Sequence, residues 1–131
     1  MAYYFDASIL GPAIAFARLR PDVIHPGHPE CPPAISPSTP DDEWLPIAGR
    51  EGWIVIMRDK KIRSRPGERR ALLDHGVAAF CLTTSGNKSK WQMAQILMRH
   101  WERIEEVTAE VPRPFIYAVT QRDVRPIVPR S

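Results

Sequence analysis

Apolar positions along this chain fall into two rhythms, short unbroken runs and longer stretches at helical spacing. Tyr3-Tyr4-Phe5 is a short run ending at Asp6, as expected of a buried strand. Ile9 to Arg20 then carries Ile9, Ala13, Phe16 and Ala17 at helical spacing and stops before Pro21. Asp22 to His25 offers a second short strand. Prolines at 26, 29, 32, 33, 37 and 40 make Pro26 to Pro40 a loop. Trp44, Leu45, Ile47 and Ala48 give the next helical stripe, with Thr39 or Asp41 as N-cap candidate and Gly52 as the stop. Pro46 would cost one continuous helix a hydrogen bond, so a short turn followed by a helix that Pro46 opens is the alternative.

Trp53 to Met57 (WIVIM) is an unbroken apolar run, the pattern of a strand buried on both faces, and is the expected central strand. Pro66 opens a helix over Gly67 to His75, stopped by Gly76, and Val77 to Leu82 supplies a fourth strand without polar alternation. Ser89 to Glu110 predicts the longest helix, with Trp91, Ala94, Leu97, Met98, Trp101, Ile104 and Val107 on its buried face. Phe115 to Thr120 and Val124 to Val128, split by a polar turn at Gln121 to Asp123, predict a closing hairpin. The order β-α-β-α-β-α-β-α-β-β implies a three-layer α/β/α sandwich with a mostly parallel sheet and a C-terminal β-hairpin.

Composition narrows this little. A chain of 131 residues, 44% apolar and 25% charged, suits one domain over 1–131. No apolar run approaches the roughly 18–20 residues of a membrane span, and the start lacks the basic-then-apolar pattern of a secretory signal, so a cytoplasmic address without membrane contact is the expectation. Two cysteines, Cys31 and Cys81, make no disulfide framework. A net charge of +3 and a pI near 9.1 permit a polyanionic partner without demanding one.

Candidate chemistry lies where strands end. In such sheets ligands bind beyond the carboxyl ends of the strands, an edge shared with helix beginnings. Asp6 follows the first strand, Asp59 follows WIVIM, and Asp41 starts the helical segment feeding that strand. Three clustered carboxylates repel one another, and a divalent cation relieves the repulsion. Hard oxygen donors suit Mg²⁺ or Mn²⁺, ions that orient water and stabilise phosphoryl oxygens, so phosphodiester hydrolysis is the natural reaction. Each acid also has a plain structural use: Asp41 as a helix cap, Asp6 in a turn, Asp59 as a surface charge between Arg58 and Lys60. Asp42 and Glu43 could ligate in place of Asp41 or interact with the helix dipole.

The cations Arg58, Lys60, Lys61, Arg63, Arg65, Arg69 and Arg70 surround and follow the third acid. They form either a solvated face or a cradle for phosphates beside the acids. Thr83, Thr84, Ser85 and Asn87 end the fourth strand on the same rim, where they could bond a metal water or a phosphate, and capping the long helix is the plain structural use for Ser85 to Ser89. His25, His28 and Cys31 have a loose zinc-like spacing interrupted by prolines.

With these residues in view, the sequence resembles PIN-domain nucleases, and more closely the PIN-like group that includes VapC-type toxins. FDAS at 5–8 is similar to the first strand and its acid, with Ser8 at the small polar position after it. PDDEWLPIAGREGWIVIMRDKKIR at 40–63 is similar to the segment carrying the later two acids, framed by Asp41, Ala48, Gly52, the apolar strand and Arg58-Asp59-Lys60. GNKSKW at 86–91 and PFIYAV at 114–119 extend the resemblance over nearly the whole chain. It implies a PIN-like fold and Mg²⁺- or Mn²⁺-dependent ribonuclease activity in which Asp6, Asp41 and Asp59 ligate the metal and act in catalysis. Ser8, Arg58, Lys60, Lys61 and Arg63 would then meet the RNA. It also implies an antitoxin protein as partner, and a second copy of the chain is a further candidate. Longer PIN domains carry another acid, usually Glu, between the first and third; here a proline-rich loop with the single acid Glu30 fills much of that interval. The alternative function is therefore a weak or inactive PIN-like module that binds nucleic acid or a protein partner. A phosphoacceptor receiver-like domain, which needs adjacent acids after the first strand and a late lysine, fits poorly.

Overall fold

Successive residues of the first strand face two different cores. Tyr3 and Phe5 join one and Tyr4 the other, because side chains alternate across a pleated strand. The computed structural model describes residues 1–58 and 66–127. Its strands and helices run β1 (Tyr3–Phe5), α1 (Leu10–Leu19), β2 (Val23–Ile24), α2 (Asp41–Glu51), β3 (Ile54–Arg58) and α3 (Pro66–Asp74). There follow β4 (Ala78–Leu82), α4 (Lys90–Arg99), α5 (Trp101–Glu110), β5 (Phe115–Val119) and β6 (Val124–Pro126), and a 3₁₀ turn at Ala7–Ile9 precedes α1.

The six strands stand in the order β2-β1-β3-β4-β5-β6, all parallel except the β5–β6 hairpin. Helices α1, α4 and α5 bury Phe16, Leu97, Trp101 and Ile104 on one face; α2 and α3 bury Trp44, Leu45, Ala48 and Leu72 on the other. This is the expected three-layer α/β/α sandwich. The chain leaves β1 toward one edge for β2 and returns past β1 to β3, so the strand order reverses between β1 and β3. Connections leaving those two strands diverge to opposite faces, and the crevice between them is where open α/β sheets hold ligands.

Three expectations need correction. First, α2 is one helix with Pro46 inside it, and its N-cap is Pro40, not Thr39 or Asp41. Pro46 sits early enough to remove only the N–H that would bond to the carbonyl of Asp42. Gly52 closes α2 at φ 70°, the left-handed conformation that glycine adopts most readily. Second, Ser89 to Glu110 is two helices, since His100 has φ −102° and ψ 7°. The break lets the Trp101 ring settle among Tyr3, Phe16 and Phe5, at 4.8, 5.2 and 6.1 Å between centroids. Third, the buried stripe of α4 is centred on Met93 and Leu97, which turns Trp91 and Met98 outward at 69% and 46% exposure.

Candidate nucleic-acid and metal site

Asp6 follows β1 at the crevice and is 5% exposed, a carboxylate buried among residues that are otherwise apolar among the described ones. Its backbone N–H donates to the Ile56 carbonyl at 3.0 Å, which ties the first residue beyond β1 to β3. Its Oδ1 accepts the Ser8 backbone N–H at 3.1 Å and also the Ser8 hydroxyl. Ser8 Oγ in turn accepts the Arg58 backbone N–H at 3.0 Å. One hydroxyl thus bridges the buried carboxylate to the last residue of β3, across the reversal point. Buried carboxylates need such donors, because an unpaired charge in a dry site is heavily penalised.

Asp41 approaches from the other face as the exposed first residue of α2. It is not the cap. Its Oδ1 accepts the Trp44 indole N–H at 3.0 Å, and the buried Trp44 ring packs tilted against Tyr4 at 5.0 Å between centroids, so the core fixes the carboxylate. Asp41 lines a cleft of about 220 Å³ between α2 and α3. Ser8 lines another of about 310 Å³ between the start of α1 and Lys90 and Met93 of α4.

Tyr4 links the two acids. Its side chain is fully buried and its hydroxyl has no hydrogen-bond partner among the described residues. Burial first, and then the charges of Asp6, Cys31 and Asp41, push the phenol far above its ordinary value. Both aspartates therefore act electrostatically on one orphan hydroxyl beneath the rim. Sequence patterning read Tyr4 only as strand core, since nothing in a run of three aromatics marks which hydroxyl lacks a partner.

Arg58 reaches across the rim toward α4. Its guanidinium meets Met93 Sδ and the Gly86 carbonyl, both at 3.5 Å. Asp59, Lys60, Lys61 and Arg63, with Arg65 of the same basic run, lie outside the described residues. Among the described residues, no three His, Cys, Asp or Glu side chains stand together as a metal-binding group. In donor chemistry Asp6 and Asp41 fit a hard divalent cation, and Asp59 directly follows the anchored Arg58. The loosely spaced zinc candidates are engaged otherwise: His25 Nδ1 lies 2.9 Å from the Pro26 carbonyl, His28 Nδ1 accepts the Glu30 N–H at 3.1 Å, and Cys31 is buried. Ser89 and Gln92 form a reciprocal capping box that starts α4, which gives Ser89 the capping use. No described helix is long and apolar enough to cross a membrane.

Comparison with known proteins bears on the family of the chain. A relative in Mycobacterium tuberculosis (strain ATCC 25618 / H37Rv), provisionally named as ribonuclease VapC45, is 31% identical over 84 residues, which is 63% of this chain and 58% of that protein. No solved structure matches. The sequence profile of the PIN like domain covers residues 1–84, which include Asp6, Ser8, Asp41, Arg58 and Asp59, whereas the likeness noted at 86–91 and 114–119 lies beyond it. On that match, which spans β1 to the end of β4, the chain belongs to the PIN-like domain family and is related to the VapC-type PIN toxins.

Proposed function

We propose that this chain is a PIN-like module that engages RNA at the carboxyl rim of its sheet, with Asp6 as the fixed point of the site. The observation that carries the reading is the bridge from Asp6 through Ser8 to the Arg58 backbone N–H, which locks a buried carboxylate at the reversal point of the sheet. Arg58 and the basic run after it supply cations beside that point, and phosphate contacts of this kind give salt-dependent affinity. The described carboxylates already hold donors from Ser8 and Trp44, so binding with weak or absent turnover is the leading reading.

Metal-dependent cleavage is the second reading, favoured by the relative named as a ribonuclease and by Asp59 following Arg58. Asp6, Asp41 and Asp59 are the residues that would hold Mg²⁺ or Mn²⁺, which when bound supplies a polarised water and neutralises phosphoryl oxygens. Ser8 holds Asp6 in place, Trp44 holds Asp41, and Lys60, Lys61 and Arg63 would steady the RNA. The kinship to VapC-type toxins makes an antitoxin that covers the rim the expected protein partner.

The test is RNA binding and cleavage measured together on a single-stranded oligonucleotide, with Mn²⁺ and with chelator. Salt-sensitive binding in chelator without cleavage in Mn²⁺ is the outcome for a binding module. Cleavage in Mn²⁺ that disappears in both Asp6→Asn and Asp59→Asn establishes the nuclease. Absence of RNA binding under both conditions rules out both readings.

A further inference from the structure

A second polar cleft opens on the same rim, two strands from Asp6. It has a volume of about 410 Å³ and lies between the end of β4, at Thr83, Thr84 and Ser85, and the β5–β6 turn, at Thr120, Arg122 and Arg125. From strand spacing, the end of β4 lies roughly 10 Å from the end of β1. We propose that this cleft is a phosphate subsite that holds the backbone of the RNA strand passing over the aspartate rim. The assignment rests on the RNA-binding reading above and extends it to Ser85, Thr120, Arg122 and Arg125, which lie beyond the family match ending at residue 84.

Three features carry it. Thr84 Oγ1 is buried and has no hydrogen-bond partner among the described residues. An unsatisfied buried hydroxyl is a cost to the free protein, and a phosphate oxygen is an acceptor that would satisfy it. The turn opposite is built to hold its cations still: the Thr120 hydroxyl donates to Asp123 Oδ1 at 2.7 Å and accepts the Arg122 and Asp123 backbone N–H groups at 3.1 and 3.0 Å. The Arg122 guanidinium makes no hydrogen bond or ion pair among the described residues, and Arg125 has only a loose 3.9 Å contact with Asp123. No acid among the described residues lines the cleft, and Asp123 is turned to Thr120. Hydroxyls on one wall and guanidinium groups on the other match the oxygens and charge of a phosphodiester, for which arginine forks are suited.

The experiment is fluorescence anisotropy of a labelled single-stranded RNA against wild type, Thr84→Val and the double variant Arg122→Ala/Arg125→Ala, over a range of salt concentrations in chelator. The double variant should bind about tenfold more weakly, as expected for a lost charge-assisted phosphate contact. Its log–log salt slope should be shallower by about 1. Thr84→Val should weaken binding while its melting temperature stays at or above wild type, because the change removes an orphan hydroxyl and keeps the shape. Wild-type affinity and slope in the double variant, while wild type itself binds RNA, overturn the subsite and leave the RNA-binding reading standing. If wild type binds no RNA, both fall together. A Thr84→Val variant that loses stability instead assigns that hydroxyl to folding and also counts against the subsite.

Discussion

The two edges of this sheet are built on opposite terms. At the amino edge, the charged groups Arg20 and Arg113 are paired off. Arg20 holds Asp22 and Glu105 at 2.9 and 3.0 Å and lies 5.4 Å over the Trp101 ring. Arg113 donates to the carbonyls of Gly52 at 2.7 Å and of Trp53, closing the turn between α2 and β3. At the carboxyl edge, a carboxylate is buried, the Tyr4 and Thr84 hydroxyls lack partners among the described residues, and the Arg122 cation stands open. The contrast fits an amino edge that serves stability and, on the proposed RNA-binding role, a carboxyl edge that meets the ligand. Trp101 Nε1, in the ring beneath Arg20, is also buried without a partner among the described residues, so the contrast rests on the charged groups rather than on the orphan atoms alone.

The largest effect should come from breaking the amino edge at Gly49. A Cβ there would lie 2.2 Å from the His75 carbonyl oxygen, a backbone atom that cannot swing aside. Gly49→Ala should therefore destabilise by about 1–3 kcal/mol, the usual range for overpacking, as measured by urea denaturation. A wild-type midpoint would mean that α2 and α3 are free to slide. Ser8→Ala comes next. It strips Asp6 of its hydroxyl donor and leaves the Arg58 N–H without an acceptor, at about 1–2 kcal/mol. RNA binding should fall with it, whereas Arg20→Ala, a partly exposed ion-pair residue, should lower stability by up to about 1 kcal/mol and leave RNA binding alone.

The smallest effect concerns pH. Burial raises the Tyr3, Tyr4 and Cys31 acids above ordinary values of 10.0, 10.0 and 9.0. The folded state holds them neutral while the unfolded chain can ionise, so their contribution is intact below about pH 9 and declines as pH rises beyond it. Denaturation midpoints from pH 7 to 11 should fall on the alkaline side. Tyr4→Phe should flatten that fall and match or exceed wild-type stability at pH 7, because it deletes the orphan hydroxyl. A clear loss at pH 7 would show that the hydroxyl has a partner after all.

Much of this fold was legible as pattern. The unbroken runs at Tyr3–Phe5, WIVIM and Val77–Leu82 became parallel strands because both faces are covered, and Gly52 and Gly76 stopped their helices at φ 70°. What pattern missed depends on tertiary contact. The break at His100 follows from where Trp101 packs against β1 and α1, which helical periodicity does not contain. Trp91 and Met98 sit close to the apolar stripe in sequence but outside its observed arc. At the site, topology was enough to send Asp6 and Asp41 to one rim, and the family resemblance singled out Ser8. The indole N–H of Trp44 on Asp41, the Tyr4 hydroxyl near both acids and the turn that presents Arg122 arise from tertiary packing that no local pattern encodes. Asp59, Lys60, Lys61 and Arg63 rest on sequence alone.

The most direct test of the carboxyl edge as the RNA-binding face is a backbone amide NMR titration with a short single-stranded RNA. The account predicts shifts concentrated at Asp6, Ser8, Arg58, Thr83 to Ser85 and Arg122 to Arg125, with Arg20, Asp22, Gly52 and Arg113 unmoved. Shifts centred on the amino edge, or none at saturating RNA, would contradict it.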